Sequence, residues 1–415
     1  MEFDAGTLRE LISRHRDGLS LEQPFYCDAE LFRIDVERVI WRLWHLVDHV
    51  SRIPRAGDFF TFEIAGESII VVRGRDMEIR AFFNVCRHRG SRVCREPQGN
   101  ASQLVCPYHA WTYGLDGSLK SAAMTCEGFD KSRYALNPCH VHVSEGLIFV
   151  FLGPGPAPDF DSMLTPALQP FLRVQDLPAA RIAHRATYPT QGNWKLVVEN
   201  FFECNHCLPA HPEYCSIHPR EFILALSGDG GQDPNEHHLA FQPRIDAFNA
   251  RATALGHPVG EVAGDPLTLH FSRGDRFPMK EGFRSETRDG TPAAPLMGRY
   301  RDWDGGTTGI IFSPLSIFMA TNDFVTLVRF VPRNVSLTDV EAIWLVRGDA
   351  AEGRDYDLGK MTWMWDVTLR QDKRIIEDNQ AGIRSRVYRP GPYTRQEKNA
   401  NRAVQWYLNL LRQPA

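Results

Sequence analysis

Two short segments constrain this chain more than any other feature: Cys86-Arg87-His88 and Cys106-Pro107-Tyr108-His109, two cysteine/histidine pairs with seventeen residues between them. Each pair offers one soft thiolate and one imidazole. Both follow short apolar, strand-like runs and sit among polar residues, so they read as the tips of two loops that can clamp one group between them.

Two thiolates on one metal and two imidazoles on another are what a [2Fe-2S] cluster with unequal irons requires. Replacing two thiolates by neutral imidazoles removes negative charge and raises the reduction potential, which is the Rieske arrangement. Zinc is the competing occupant. Cys2His2 zinc sites, however, usually group cysteine with cysteine and histidine with histidine, and this pattern does not.

A second donor-rich segment runs from Asn193 to Pro212 and contains Glu203, His206 and His211. On a helix Glu203 and His206 share a face, and Pro209 is expected to end or bend the helix before His211, letting two imidazoles converge on one ion. Two histidines need one carboxylate to complete the facial triad of non-heme Fe(II) oxygenases. Glu203 is the obvious local acid, while Asp323, Asp372, Glu377 and Asp378 are candidates from later in the chain. Cys204 and Cys207 flank His206 and compete as thiolate ligands. A thiolate suits zinc or an iron–sulfur site better than an oxygen-activating iron, so they are read as packing residues.

Length and charge narrow the remaining classes. With 415 residues the chain can form two or three domains, and a formal charge of −4 without a lysine/arginine run gives no electrostatic footprint for nucleic acid. No apolar stretch approaches a membrane helix, and the acidic, amphipathic start lacks the order of a signal peptide. Nine cysteines with no export signal argue for a reducing cytoplasm and against a disulfide framework, leaving Cys27, Cys94, Cys126, Cys139 and Cys215 as small buried hydrophobes. The chain lacks a Gly-x-Gly-x-x-Gly fingerprint and a flavin domain, so electrons must come from a separate protein.

The texture of the chain divides it. Apolar residues at helical spacing over about 31–44 predict an N-terminal helical segment (1–44) packing on a later domain. Short β-branched or aromatic runs bounded by turn residues predict a small all-β domain over 45–153 that holds the cluster. Gly153-Pro154-Gly155-Pro156-Ala157-Pro158 continues neither strand nor helix and reads as a linker. A mixed α+β catalytic domain is expected over 154–415, with strands at 316–320 and 324–330. The stretches 228–234 and 284–295 look like long surface loops or lids.

The cluster motif, Gly57-Asp58-Phe59-Phe60-Thr61 before it, Gly114-Leu115-Asp116-Gly117 after it and the histidine segment near 206 resemble the oxygenase (alpha) subunits of Rieske non-heme iron oxygenases along nearly the whole chain. The resemblance implies an α+β protein, with an all-β Rieske domain and a helix-grip catalytic domain built on an antiparallel sheet. Cys86, His88, Cys106 and His109 would hold the [2Fe-2S] cluster. His206, His211 and Asp372, the last from the segment Gln371–Gly382, would hold a mononuclear Fe(II). It further implies a homotrimer in which Glu203 links His109 of an adjacent subunit to His206, with O2 as co-substrate. The electron donor would be a separate reductase or ferredoxin using flavin and NAD(P)H.

Most of the family carries aspartate where this chain has Glu203. Glutamate there, with Glu199-Asn200 and the spacing Glu203-Cys204-x-His206-Cys207-x-x-x-His211-Pro212, resembles the subgroup acting on quaternary ammonium compounds such as glycine betaine, stachydrine and carnitine. That implies hydroxylation of an N-methyl group and oxidative N-demethylation. Phe201, Phe202, Phe312, Phe318, Trp363 and Trp365 are available for cation–π contact, whereas no arginine stands out for a substrate carboxylate. Within the same chemistry the rival is an aromatic-ring hydroxylase or O-demethylase. Outside it, the rival is a pure electron carrier without mononuclear iron.

Overall fold

The computed structural model describes residues 5–225 and 236–413, so the expected loop at 228–234 lies outside the described residues. The chain divides into two compact units: Trp44–Ala157, and Met1–Leu43 together with Pro158–Ala415.

The smaller unit is all β. Its strands are β1 (Trp44–His49), β2 (Asp58–Ile64), β3 (Glu67–Arg73), β4 (Ile79–Phe83), β5 (Gln98–Asn100), β6 (Leu104–Val105), β7 (Thr112–Tyr113), β8 (Leu119–Ser121), β9 (Pro138–Ser144) and β10 (Leu147–Phe151). Seven form a sheet in the order β1-β10-β9-β4-β3-β2-β5, and β6-β7-β8 form a small separate one. In β2 buried and half-buried residues alternate strictly, as a strand with one covered face must. The two loops singled out in the sequence follow β4 and β6.

In the larger unit the helices are α1 (Ala5–Arg14), α2 (Pro24–Cys27), α3 (Ala29–Arg38), α4 (Gln169–Arg173), α5 (Trp194–Phe201), α6 (Cys207–Ala210), α7 (Pro212–Ile217), α8 (Arg220–Ala225), α9 (Glu236–Ala254), α10 (Leu358–Ile383) and α11 (Lys398–Arg412). Its strands are β11 (Ala180–Thr190), β12 (Gly260–Val262), β13 (Arg273–Pro278), β14 (Gly306–Ser313), β15 (Ser316–Ala320), β16 (Val325–Asn334) and β17 (Leu337–Arg347). They form one antiparallel sheet in the order β11-β17-β16-β15-β14-β13-β12, and the 26-residue α10 packs along β11 and α5. This is the expected α+β architecture: an all-β unit and a helix-grip unit on an antiparallel sheet.

Two buried polar knots organise the larger unit. Lys195 of α5 pairs with Asp35 of α3, whose carboxylate also accepts from Trp194 Nε1 at 3.1 Å and from Tyr407 Oη at 2.6 Å, tying α3, α5 and α11 together. On β13, Arg276 is fully buried and donates to Asp304 at 2.7 and 2.8 Å and to Thr308 Oγ1 at 2.6 Å.

Three expectations need correction. The helix expected over 31–44 is α3, which ends at Arg38; a short 3-10 turn follows and Trp44 already belongs to β1, because its apolar side chain fits a fully buried strand equally well. The stretch 284–295 is not a surface lid. Ser285, Glu286, Thr287, Ala293 and Ala294 are buried, and Asp323 accepts hydrogen bonds from Ser285 Oγ and the Ala293 N–H, satisfying an irregular backbone inside the protein. Among the cysteines, Cys94 and Cys139 are buried as expected, but Cys27 and Cys215 are only partly buried and Cys126 is exposed.

Candidate metal centres and active-site cavity

The two cysteine/histidine loops are built alike. In the first, the Cys86 N–H donates to Ser91 O at 2.8 Å and the Gly90 N–H to Cys86 O at 3.0 Å. In the second, the Cys106 N–H donates to Trp111 O at 2.8 Å and the Ala110 N–H to Cys106 O at 3.0 Å. Each closure needs a left-handed residue in fourth place, Gly90 at φ 79° and Ala110 at φ 56°. Both cysteines are buried, whereas His88 and His109 are exposed, with ring centroids 4.6 Å apart.

Supporting groups hold this frame. His88 stacks on Trp111 at 4.9 Å and 11°, and Tyr113 Oη lies 3.3 Å from Cys86 Sγ while accepting from the Arg87 N–H at 3.0 Å. The buried Asn84 side chain accepts from the Val93 and Cys94 N–H groups, both at 2.9 Å, and donates to Cys94 O at 2.7 Å. Buried sulfurs on one side and outward imidazoles on the other match the unequal donor set of a Rieske cluster.

The second centre lies where three helix ends meet. α5 stops at Phe201, so Glu203 and His206 do not share one continuous helix as the sequence suggested. Pro209 sits inside the single turn α6, and the break falls at His211, between α6 and α7. The fold reaches convergence through these breaks: His206 and His211 face each other with ring centroids 5.1 Å apart. Asp372, on α10, places Oδ1 3.4 Å from His206 Nε2 and 3.0 Å from His211 Nε2.

Electrostatics favour positive charge at this point. Burial works against the imidazolium form of His206, but the carboxylates of Asp372 and Glu203 outweigh it and push the ring up to about 9. Burial likewise works to raise the Asp372 carboxyl, yet the two histidines hold it below the usual carboxylate range. The chemistry of the set, two imidazoles and one carboxylate with open space beside them, fits a non-heme iron.

Further partners were not evident from the sequence. Asn200 Nδ2 donates to Asp372 Oδ1 at 2.7 Å, and His211 Nδ1 lies 2.9 Å from Gln371 Oε1, which turns Nε2 toward Asp372. Glu203 hydrogen-bonds His206 Nδ1 on the side away from Asp372 and also accepts from the Asn205 N–H. Asp323, a candidate from the sequence, is occupied within the 285–294 loop and does not line the cavity.

Cys204 and Cys207 depart from the expectation of plain packing residues. They form a disulfide, with Cα atoms 4.9 Å apart, because the turn that begins α6 bonds the Cys207 N–H to Cys204 O at 3.1 Å and brings both side chains to one side. The Cys207 sulfur lies within 4.8 Å of donor atoms of His206 and His211, but bonded to Cys204 it has no thiolate to offer a metal.

Beside His206 and His211 opens a cavity of about 180 Å³, below the ~300–1,000 Å³ of pockets for drug-sized ligands and suited to a small substrate. Of the aromatic residues considered from the sequence, Phe201, Phe202 and Trp365 line it. Phe312 and Phe318 are fully buried against each other, and Trp363 lies under Arg288. Tyr214 and Phe222 complete the aromatic wall.

The chain matches the family model described as "Ring hydroxylating alpha subunit (catalytic domain)" over residues 177–413 and that of the Rieske [2Fe-2S] domain over 43–128. It is 37% identical over 398 residues to the glycine betaine monooxygenase oxygenase subunit of Pseudomonas aeruginosa, covering 95% of this chain and 90% of that one. It is 36% identical over 245 residues to the carnitine monooxygenase oxygenase subunit of Escherichia coli K12, covering 56% of this chain and 64% of that one. Among solved structures, the quaternary ammonium Rieske monooxygenase CntA in complex with L-carnitine superposes with a TM-score of 0.70 at 21% identity, covering 97% and 98% of the two chains. That likeness extends over the fold.

No helix among the described residues is long and apolar enough to cross a membrane. The two family matches imply one [2Fe-2S] cluster and one mononuclear iron, with O2 as co-substrate and electrons delivered by a separate reductase. The chain belongs to the Rieske non-heme iron oxygenases, as an oxygenase alpha subunit.

Proposed function

We propose that this oxygenase hydroxylates an N-methyl group of a small quaternary ammonium substrate and so removes it as formaldehyde. The observation that carries the reading is the cavity beside His206 and His211, walled by the rings of Tyr214 and Trp365 and by the carboxylates of Asp275 and Glu286. A quaternary ammonium cannot donate a hydrogen bond, so aromatic faces and negative charge are what its site can use. The relatives named for glycine betaine and carnitine support the same reading.

Cys86 and Cys106 would hold one iron of the cluster and His88 and His109 the other, while His206, His211 and Asp372 would hold the mononuclear iron. Together the two centres supply one-electron transfer and the binding and reduction of O2. The protein's own part is positional. Asn200 fixes the Asp372 carboxylate, Gln371 fixes the His211 tautomer, and the apolar wall limits water at the reacting methyl group. Glu203 braces His206 Nδ1. In a cyclic homotrimer it would also reach His109 of an adjacent subunit, giving a short route between cluster and iron; the report of inter-subunit electron transfer in CntA supports that arrangement.

The reaction balances as substrate N–CH3 plus O2, two electrons and two protons giving N–CH2–OH plus water. The C–N bond then breaks, the nitrogen keeps the electron pair, and formaldehyde and a proton leave. The five cysteines outside the cluster loops and the Cys204–Cys207 pair, Cys27, Cys94, Cys126, Cys139 and Cys215, are all unbridged, in keeping with a cytoplasmic setting.

The test is a substrate screen with the reconstituted reductase. Formaldehyde and demethylated amine released from glycine betaine or carnitine, with matching NAD(P)H oxidation, support the reading. Hydroxylated product from aromatic acids with no formaldehyde from betaines rejects it.

A further inference from the structure

The turn between α5 and α6 holds a sulfur donor that the closed disulfide keeps out of use. Only Asn205 and His206 lie between Cys204 and Cys207, so the loop closed by the bridge contains one of the two converging histidines. The Cys207 sulfur and ring nitrogens of His206 and His211 all lie within 4.8 Å of one another. With the bond lengths of a tetrahedral zinc site, such atoms stand roughly 3.5 Å apart. A rotation about the Cys207 Cα–Cβ bond covers that difference, and the bond to Cys204 is what prevents it.

The bridge has an open end and a closed one. Cys204 is half-buried whereas Cys207 is 5% exposed, and both line the cavity beside the two histidines. A thiolate entering the cavity reaches Cys204 more readily, and attack there releases Cys207 next to His206 and His211. Cys215 is the third cysteine at this point, its Sγ donating to Cys207 O at 3.2 Å. Burial pushes its thiol up, so it stays a thiol and the attacking thiolate comes from outside. The bridge is also a poor structural staple, because so short a loop restrains the unfolded chain little. In a reducing setting, a disulfide of this kind is characteristically transient and redox-active.

We propose that Cys204–Cys207 is a redox lock on a second donor set at this centre, in which Cys207 joins His206, His211 and Asp372 to hold zinc. With the bridge closed, two imidazoles and a carboxylate leave positions open beside the cavity, as oxygen chemistry requires. With the bridge opened by a dithiol, the thiolate completes a closed four-donor set, which suits zinc and leaves no position for dioxygen. The exchange balances: the dithiol gives up two electrons and two protons in becoming a cyclic disulfide, and the bridge takes them up as two thiols. The Cys207 thiol passes its proton to solvent as zinc binds. Thiol poise thereby selects which metal the centre holds, whichever substrate the cavity takes.

Zinc and cobalt(II) are the probes, applied to the whole chain after removal of its mononuclear metal, with the cluster intact by its visible absorbance. Alkylation followed by peptide mass analysis should find Cys204 and Cys207 protected in the air-oxidised protein and labelled after dithiothreitol. Once the dithiothreitol is removed anaerobically, adding cobalt should give a thiolate-to-cobalt charge-transfer band in the reduced protein and none in the oxidised one. Zinc should bind the reduced form more tightly by on the order of tenfold or more. Cys204→Ser frees Cys207 permanently and should show both effects without reductant, whereas Cys207→Ala should show neither after it. Labelled Cys204 and Cys207 in the air-oxidised protein overturn the proposal, as does a reduced protein whose cobalt spectrum lacks the thiolate band. Equal tightening of zinc in Cys207→Ala overturns it too, by placing the new donor elsewhere. Should Cys204→Ser fail to fold, reduced wild type carries the same reading without a substitution. None of these readouts involves a substrate, so their failure leaves the proposed substrate class standing.

Discussion

Asn200 donates its side-chain N–H, at 2.7 Å, to the same Asp372 oxygen that lies 3.0 Å from His211 Nε2. The amide fixes where that oxygen points, so it sets the carboxylate's share of the proposed iron site from outside the donor set. Partners of metal ligands typically contribute 10–100-fold in metal affinity. Asn200→Ala should therefore lower mononuclear iron affinity by that order while the visible spectrum of the [2Fe-2S] cluster stays unchanged. Iron titration of the metal-depleted variant checks it, and undiminished affinity would count against the assignment of Asp372.

The iron inventory separates the two centres. Wild type should contain about three irons per chain, Cys86→Ser about one, and His206→Ala about two. Metal analysis alongside cluster absorbance reads all three. Unchanged iron in His206→Ala would favour an electron carrier with no mononuclear site.

Burial of the Lys195–Asp35 pair makes half of it worse than none. Lys195→Met leaves an unpaired carboxylate among Trp194, Tyr407 and apolar neighbours, at a cost of about 3–5 kcal/mol in stability. A lowered urea midpoint for Lys195→Met, with substantial recovery in the double variant Lys195→Met/Asp35→Leu, is the expected pattern.

Asp323 predicts a pH effect of known sign. Burial pushes its carboxyl up to about 6, against the opposing pull of hydrogen bonds from Thr321, Ala293 and Ser285. A raised folded-state value means the folded protein holds this proton longer than the unfolded chain. The associated stability is complete below about pH 4 and is lost as pH rises to about 6. Relative to Asp323→Asn, wild type should lose on the order of 3 kcal/mol across that window and show a flat difference above it. Denaturant midpoints of both proteins from pH 4 to 8 measure the slope. A difference independent of pH would show that Asp323 titrates normally.

The parts of this protein legible in its sequence are those whose chemistry is local. Cys86/His88 and Cys106/His109 each span a single turn, so their spacing carried the cluster loops, and His206 and His211 announced themselves in the same way. Asp372 was recognisable only through family resemblance, since α10 brings it to His211 from 161 positions away and its neighbours Glu377 and Asp378 are also acids. The helix expected through Glu203 and His206 was misjudged because a chain that must turn two imidazoles inward breaks its helix to do so. The cavity wall was the least legible. Glu286 sits in a Gly/Asp/Pro-containing stretch that reads as surface, and the buried Asp323 anchoring that loop, with Trp365 and Thr307 donating to Glu286, makes it interior.

The alternation of half-buried and buried residues along β13 ties the make-up of the cavity wall to strand alignment. A slip of one residue would withdraw Arg273 and Asp275 from the cavity and turn Arg276 toward it, replacing a dipole by a lone positive charge. The fully buried Arg276, held by Asp304 and Thr308, makes that slip prohibitively costly. A residue buried behind the cavity thus acts as the keel of its wall, and insertions or deletions in β13 should reshape the cavity before they disturb either metal centre.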